Sequence, residues 1–276
     1  MRFVKLRTKF YELNGRFRHR LIPQDVWPVF IVGTGRCGTT LLFRILRSHP
    51  EINAYPTEAN DLWHPSLFPY QKRTVESPPF FMDPQKFTSI SLQSWSGKHR
   101  AKILYTLGGF NYLEGPNKLL LICSAMISFL IPEVFSLFPK AKIIHIYRSG
   151  PSVVASFFKK EHAKYSTLLP NKESFMMQGA KYWNESVMAI ENFAKTTIGA
   201  YDDQILEISY EALCAHHERT MADIASFLNI DRQAFTFDFT QIKNMNYKVG
   251  NYFDDPQWAP LLEQMKVGMD HKGYSR

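Results

Sequence analysis

"VFIVGTGRCGTTLLFRILRSHP", residues 29–50, passes from an apolar run through a glycine-rich turn into a helical pattern. The run "VFIVG" (29–33) reads as a buried strand. Leu41, Leu42, Ile45 and Leu46 then fall on one helix face, with Arg44 and Arg47 off it. A strand, a tight turn and a helix bring free backbone N–H groups and the positive end of a helix dipole to one point, and that combination binds phosphate. Gly33, Gly35 and Gly38 permit the turn, and Thr39 and Thr40 add hydroxyls. Gly33 and Gly38 meet the spacing G-x-x-x-x-G-K-[ST], but Thr39 stands where that pattern needs lysine. Nothing obvious then reaches β- and γ-phosphates, and no aspartate is evident for magnesium. The cation lies inside the loop instead, as Arg36. A purely structural strand–helix turn is the competing reading.

Three further runs read as buried strands: "LLLIC" (119–123), "AKIIHIY" (141–147) and "QILEISY" (204–210). After the second, "SGPSVVASFFKK" opens a helix in which Pro151 suits the first turn. Asn171 is placed to cap a helix running to about Ala194, with Phe175, Gly179, Trp183, Val187 and Ile190 on one side. A helix after Tyr210 carries Leu213, Met221, Ile224 and Leu228 in register. Buried strands alternating with helices predict an α/β fold, a P-loop-like central parallel sheet with helices on both faces. A basic N-terminal segment, 1–28, precedes one domain, 29–276. Within it residues 59–117 break the pattern, holding Trp63, Phe68, Tyr70, Phe80, Phe81, Phe87 and Trp95 among prolines. They read as an aromatic-rich irregular insertion. It forms either an acceptor pocket or lid, or a satellite core beneath long loops.

At 276 residues, 45% hydrophobic and 21% charged, the chain suits one large core-forming domain or two small ones. A net charge of +8 favours anionic ligands, or is merely a basic surface. No nucleic-acid partner is expected. Cys37, Cys123 and Cys214 are scattered and odd in number, which argues against a disulfide framework. None has metal-ligand spacing, Cys214 with His217 coming nearest, and no metal is expected. The sequon Asn184-Glu185-Ser186 falls in a helical stretch and reads as a chance match. "LLLICSAMISFLIPEVFSLF" (119–138) has an uncharged part ending at Glu133, shorter than the roughly 20 residues of a spanning helix. A strand followed by a helix accounts for it. The N-terminus "MRFVKLRTKFYELNGRFRHR" carries seven Lys/Arg among Phe, Tyr and Leu. It reads as a solvated amphipathic helix, or as a peripheral contact with a membrane or another acidic surface. With no signal peptide or transmembrane helix evident, a cytoplasmic protein is expected.

Four motifs together carry a family resemblance. "VFIVGTGRCGTTLLFRILRSHPEI" resembles the 5′-phosphosulfate loop of sulfotransferases that use 3′-phosphoadenosine 5′-phosphosulfate (PAPS). It is closer to the tyrosylprotein and bacterial branches, which carry arginine in the loop, than to the cytosolic enzymes, which carry lysine. "AKIIHIYRSGPSVVAS" is similar to the family's 3′-phosphate motif, an arginine ending a strand and a serine eight positions on, here Arg148 and Ser156. The physics agrees: open α/β sheets bind ligands at the carboxyl ends of their strands, and arginine forms bidentate pairs with phosphate. "ILEISYEAL" followed by "IASFLNI" resembles the family's Tyr-Glu strand and the helix after it. That places Tyr210 at an adenine-contacting position, a core aromatic being the other reading. The tail, "NYKVGNYFDDPQWAPLL" and "HKGYSR", is similar to the closing basic segment, with Lys248 a candidate phosphate contact. The matches run from about residue 29 to the end, covering 59–117 only loosely.

The resemblance implies transfer of a sulfuryl group from PAPS, as co-substrate, to a hydroxyl or amine, leaving adenosine 3′,5′-bisphosphate. The acceptor would be a glycan, lipid, peptide or small molecule. Gly35, Arg36, Cys37, Gly38, Thr39 and Thr40 would hold the 5′-phosphate, and Arg36 would stabilise charge developing at the sulfuryl group. Glu58, in "AYPTEANDLWHP", is the expected general base, with Asp61 and His64 in reserve and a plain surface glutamate as the alternative. His49, before Pro50, reads as structural, and His145, inside a strand, as a satisfied core histidine. The chain departs from the family once. The lysine of a Lys-Thr-Pro-like segment is missing near Cys123-Ser124-Ala125, and Lys118 or Arg100 is the candidate substitute. Without one, a catalytically weak PAPS-fold nucleotide-binding protein is the alternative, and a P-loop nucleotide kinase is disfavoured by Thr39.

Overall fold

Five short strands pair in parallel into one sheet: β1 (Val29–Val32), β2 (Ile52–Ala54), β3 (Leu119–Cys123), β4 (Lys142–Tyr147) and β5 (Ile205–Ser209). Their order is β2-β3-β1-β4-β5, so β1 lies at the centre, with Phe30 opposite Ile122 on one side and Ile143 on the other. The computed structural model describes residues 2–17, 27–56, 58–63, 80–83, 97–115, 118–197, 199–242 and 252–275. Its helices are α1 (Arg2–Phe17), α2 (Thr39–Leu46), α3 (Asn60–Trp63), α4 (Gly97–Glu114), α5 (Ile131–Leu137), α6 (Gly150–Tyr165), α7 (Lys172–Thr196), α8 (Tyr210–Ala215), α9 (His217–Leu228) and α10 (Ala259–His271). Among the described residues no helix is long and apolar enough to cross a membrane.

β1 and β3 are apolar throughout because both sheet faces are covered, and β4 departs from this in its middle only at His145. Val29, Ile31, Leu121, Cys123, Ile144 and Ile146 face one core, which takes Leu42 and Ile45 from α2, Trp183 from α7 and Met265 from α10. The alternate residues Phe30, Val32, Leu120, Ile122 and Ile143 face another, filled by Trp63 of α3, Ile103 and Phe110 of α4, and Val134 and Phe135 of α5. The period of two that a strand imposes is thus what divides the two cores.

Helix α7 begins as its sequence predicts, with Asn171 Oδ1 accepting from the Ser174 N–H at 2.8 Å. Two expectations are corrected. The single helix after Tyr210 is two, α8 and α9, separated at His216, whose φ of −134° is not helical. The segment 59–117 is not irregular throughout, since α4 occupies 18 residues of it. Phe81 joins a satellite core, its ring centroid 4.9 Å from Phe157 and 5.0 Å from Tyr165, whereas Trp63 belongs to the main core. Phe68, Tyr70, Phe87 and Trp95 lie outside the described residues.

The C-terminal tail is fastened to the edge of the sheet. Lys272 Nζ donates to Glu191 Oε1 at 2.5 Å and to both carboxylate oxygens of Glu207 at 2.7 Å. His145 Nδ1 shares a 2.5 Å hydrogen bond with Glu207, so the histidine in the strand is satisfied as expected. His49 is satisfied too, bonding Asp231 O through Nε2 and the Glu51 N–H through Nδ1.

Candidate active site

The chain leaves β1 toward β2 on one side of the sheet and later enters β4 on the other, so the strand order reverses between β1 and β4. A crevice opens at the carboxyl ends of strands flanking such a point. The glycine-rich loop follows β1 into it, and Arg148 follows β4.

The loop is shaped by its own backbone. Cys37 N–H donates to Thr34 O at 3.2 Å, and Arg36 (φ 73°) and Gly38 (φ 112°) are left-handed. A non-glycine residue in that region is strained, and such strain gathers at functional sites. Gly38 cannot carry a side chain, since a Cβ there would lie 2.5 Å from Cδ2 of Tyr210. The first helical hydrogen bond of α2 runs from Leu42 N–H to Gly38 O at 3.0 Å. The N–H groups of Thr39, Thr40 and Leu41 therefore have no acceptor in the helix and stand at its positive end. Thr40 and Arg36 are exposed there, while Thr39 and Cys37 are buried. Burial pushes the Cys37 thiol up to about 12, which makes it a core side chain rather than a nucleophile.

Arg148, only 4% exposed, donates from Nη1 to Arg36 O at 3.3 Å, and its Cζ lies 4.4 Å over the Tyr210 ring. Arg36 in turn donates from Nε to Ser156 Oγ at 3.4 Å. Loop, strand end and helix α6 thus meet at Arg36. Tyr210 is buried at the start of α8, between the loop glycine and the guanidinium.

Glu58 reaches the same edge because the backbone after β2 follows β3, with Tyr55 N–H bonded to Leu121 O at 2.8 Å and Ala59 N–H to Cys123 O at 3.0 Å. It is exposed. Burial pushes the Cys123 thiol up, and the Glu58 carboxylate beside it adds to the effect. The same carboxylate contributes to raising Tyr182, after burial and the buried Cys37.

The reserve base Asp61 lies on α3, but its side chain, like all of His64 and Lys248, falls outside the described residues. Neither candidate for the missing lysine is near. Lys118 precedes β3, at the opposite end of the strand from Cys123. Arg100 donates to Ser136 Oγ at 3.0 Å in the last turn of α5, which leads away from the crevice. Both expectations are corrected: β3 separates one from the site, and α5 holds the other away from it.

Two residues that the sequence reading passed over buttress the loop. Ser128 Oγ accepts from the Gly33 N–H at 3.0 Å, and Tyr182 Oη accepts from the Gly35 N–H at 3.5 Å. Tyr182 sits on α7 with its ring stacked on Phe129 at 6.3 Å. Burial in the first place keeps its hydroxyl protonated well above the usual tyrosine range. Among the described residues no group of three or more His, Cys, Asp or Glu could hold a metal.

The model of a family described as the sulfotransferase family matches residues 28–234, about three quarters of the chain. No curated protein matches it in sequence. Among solved structures, the sulfotransferase domain from the curacin biosynthetic pathway aligns with a TM-score of 0.62 at 17% identity, covering 91% of this chain and 98% of that one. Sulfotransferase STF1 from Mycobacterium tuberculosis H37Rv gives 0.63 at 14%, covering 95% and 81%. The sulfotransferase domain from the Synechococcus PCC 7002 olefin synthase gives 0.56 at 19%, covering 92% and 98%. At these identities the likeness is one of fold.

Proposed function

Because the chain belongs to the sulfotransferase family, we propose that it transfers a sulfuryl group from PAPS to a hydroxyl or amine acceptor. The observation that carries this reading is the meeting at Arg36, whose carbonyl accepts from Arg148 and whose Nε donates to Ser156. Two cations and a hydroxyl so grouped suit a nucleotide with phosphates on both 5′ and 3′ oxygens. The N–H groups at the start of α2, with Thr39 and Thr40, would hold the 5′-phosphate. Arg148 and Ser156 would take the 3′-phosphate, with Tyr210 supporting Arg148 from its ring face and Lys248 adding a charge.

In the reaction the acceptor oxygen or nitrogen attacks sulfur while Glu58 takes its proton. The bond from sulfur to the bridging oxygen breaks, and adenosine 3′,5′-bisphosphate leaves. Arg36 would release Ser156 to meet the charge growing on the bridging and sulfuryl oxygens. Like phosphoryl transfer, this is chiefly positioning and charge stabilisation. Three free cysteines suit a reducing compartment, so a cytoplasmic site of action belongs to the same proposal.

A second reading is favoured by the gap at Cys123-Ser124-Ala125, since neither Lys118 nor Arg100 fills it. The chain would then bind PAPS but transfer poorly. Incubation with PAPS labelled at sulfur and a panel of hydroxyl and amine acceptors separates the two. Transfer that Glu58→Ala abolishes supports the enzyme. PAPS binding with no transfer supports the weak-catalysis reading, and transfer persisting in Glu58→Ala removes Glu58 as base.

A further inference from the structure

Helix α1 presents two unlike faces. The inner one is docked on the domain: Thr8 Oγ1 lies 3.1 Å from Tyr55 Oη, and the buried Tyr11 donates to Glu114 Oε1 at 3.0 Å. Backbones touch where α1 crosses α4. A Cβ on Gly15 would lie 2.1 Å from Tyr105 O, and one on Gly109 would lie 2.1 Å from Tyr11 O. These contacts fix the rotation of α1 and so decide what its other face shows.

That face carries Leu6, Phe10, Leu13 and Phe17, which are 64%, 54%, 56% and 85% exposed. Steps of four, three and four residues put them on one line along the helix. Apolar residues scattered singly on a surface need no explanation, but four in register on a held helix do. At about 100° per residue, Lys9 and Arg16 border the line on one side and Arg7 borders it on the other. All three are exposed. Arg16 is held by Glu12 at 3.0 Å and lies over the Tyr105 ring, and Arg7 bonds Tyr11 Oη at 2.9 Å and pairs with Glu114 at 3.7 Å, so both turn toward α4 and Lys9 is the cation left beside the apolar line.

We propose that this face of α1 lies on an anionic lipid surface, with Leu6, Phe10, Leu13 and Phe17 entering the headgroup boundary and Lys9 beside lipid phosphates. Apolar insertion flanked by cations is how interfacial helices bind. A second copy fits less well. Its own cations would meet these across the contact, at a net charge of +8 per chain. Four side chains also fall short of the roughly 800 Å² per partner that a stable interface buries. The proposal does not depend on sulfuryl transfer.

Sedimentation of the whole chain with phosphatidylcholine vesicles, with and without phosphatidylglycerol, tests it. The chain is expected to pellet with the anionic vesicles and to be released by high salt. Phe10→Ser with Phe17→Ser should weaken that partition about tenfold or more, and Lys9→Gln about fivefold, with melting temperatures unchanged. Equal sedimentation with neutral and anionic vesicles would overturn the proposal, as would folded variants that pellet like the parent. A dimer in light scattering that Phe10→Ser with Phe17→Ser dissolves would replace the membrane by a second copy.

Discussion

Arg148 and Arg36 are joined across the crevice, the guanidinium Nη1 of the first donating to the carbonyl oxygen of the second at 3.3 Å. A cation at the end of β4 thereby holds the tip of the loop that follows β1, and its Cζ lies 4.4 Å over the Tyr210 ring. Arg148→Ala should weaken adenosine 3′,5′-bisphosphate about 10- to 100-fold, the range for losing charge-assisted hydrogen bonds. Adenosine 5′-phosphate should lose much less. Calorimetric titration of both ligands measures this, and equal losses would remove the 3′-phosphate role.

Glu58→Gln keeps the shape of the side chain but cannot take a proton. Turnover should fall about 100- to 10,000-fold, the usual range for a general base. Affinity for adenosine 3′,5′-bisphosphate should stay as it was, since in the proposed reaction Glu58 meets the acceptor and not the nucleotide. A parallel loss of nucleotide affinity would make Glu58 a structural residue.

Gly38→Ala tests the loop through sterics alone. Its φ of 112° disfavours any side chain, and the new Cβ would press on the Tyr210 ring. The variant should lose about 1–2 kcal/mol of stability in denaturant unfolding. Its nucleotide binding should suffer more than its fold.

Much of this arrangement was legible in the sequence because its elements are locally determined. β1, β3 and β4 are apolar on both faces, so continuous runs marked them, and the loop was marked by glycines. Helix α4 was not legible because the residues it buries include His99, Thr106, Gly108, Gly109 and Asn111. Ile103, Leu107 and Phe110 do pack into the core, but polar and small residues share that buried face, and close backbone approach to α1 at Gly109 completes the contact. β2 is three residues long, too short to carry a pattern. Tyr182 meets Gly35 across 147 positions of sequence, and no local signal spans that distance.

Acid should destabilise the fold in two stages. Burial, aided by Lys102, lowers His99 from 6.5 to about 4. The unfolded chain then binds the extra proton, so stability present above pH 6.5 is lost as pH falls toward 4. The loss is at most about 3 kcal/mol. Burial opposes ionisation of Glu207, but His145 and Lys272 hold it down to about 2 from 4.5. Its contribution is lost between those values. Urea midpoints at descending pH measure both stages, and His99→Gln should flatten the first. A midpoint unchanged from neutral pH to pH 4.5 would contradict the first direction, and one unchanged from pH 4.5 to about pH 2 would contradict the second.

Lys272→Met leaves Glu191 and Glu207 without their shared cation. The side chain is 3% exposed, so the variant should cost about 3 kcal/mol and lower the melting temperature. An unchanged melting curve would mean that the tail does not stabilise the sheet edge.

In the proposed reading, the crevice between β1 and β4 takes a nucleotide phosphorylated at both 5′ and 3′ positions. Calorimetric titration of the whole chain with adenosine 3′,5′-bisphosphate, without metal, tests it most directly, with adenosine 5′-phosphate and Mg-ATP as comparisons. One site should bind the bisphosphate tightest, with no need of magnesium. Tighter binding of Mg-ATP, with no heat from adenosine 3′,5′-bisphosphate, would contradict it.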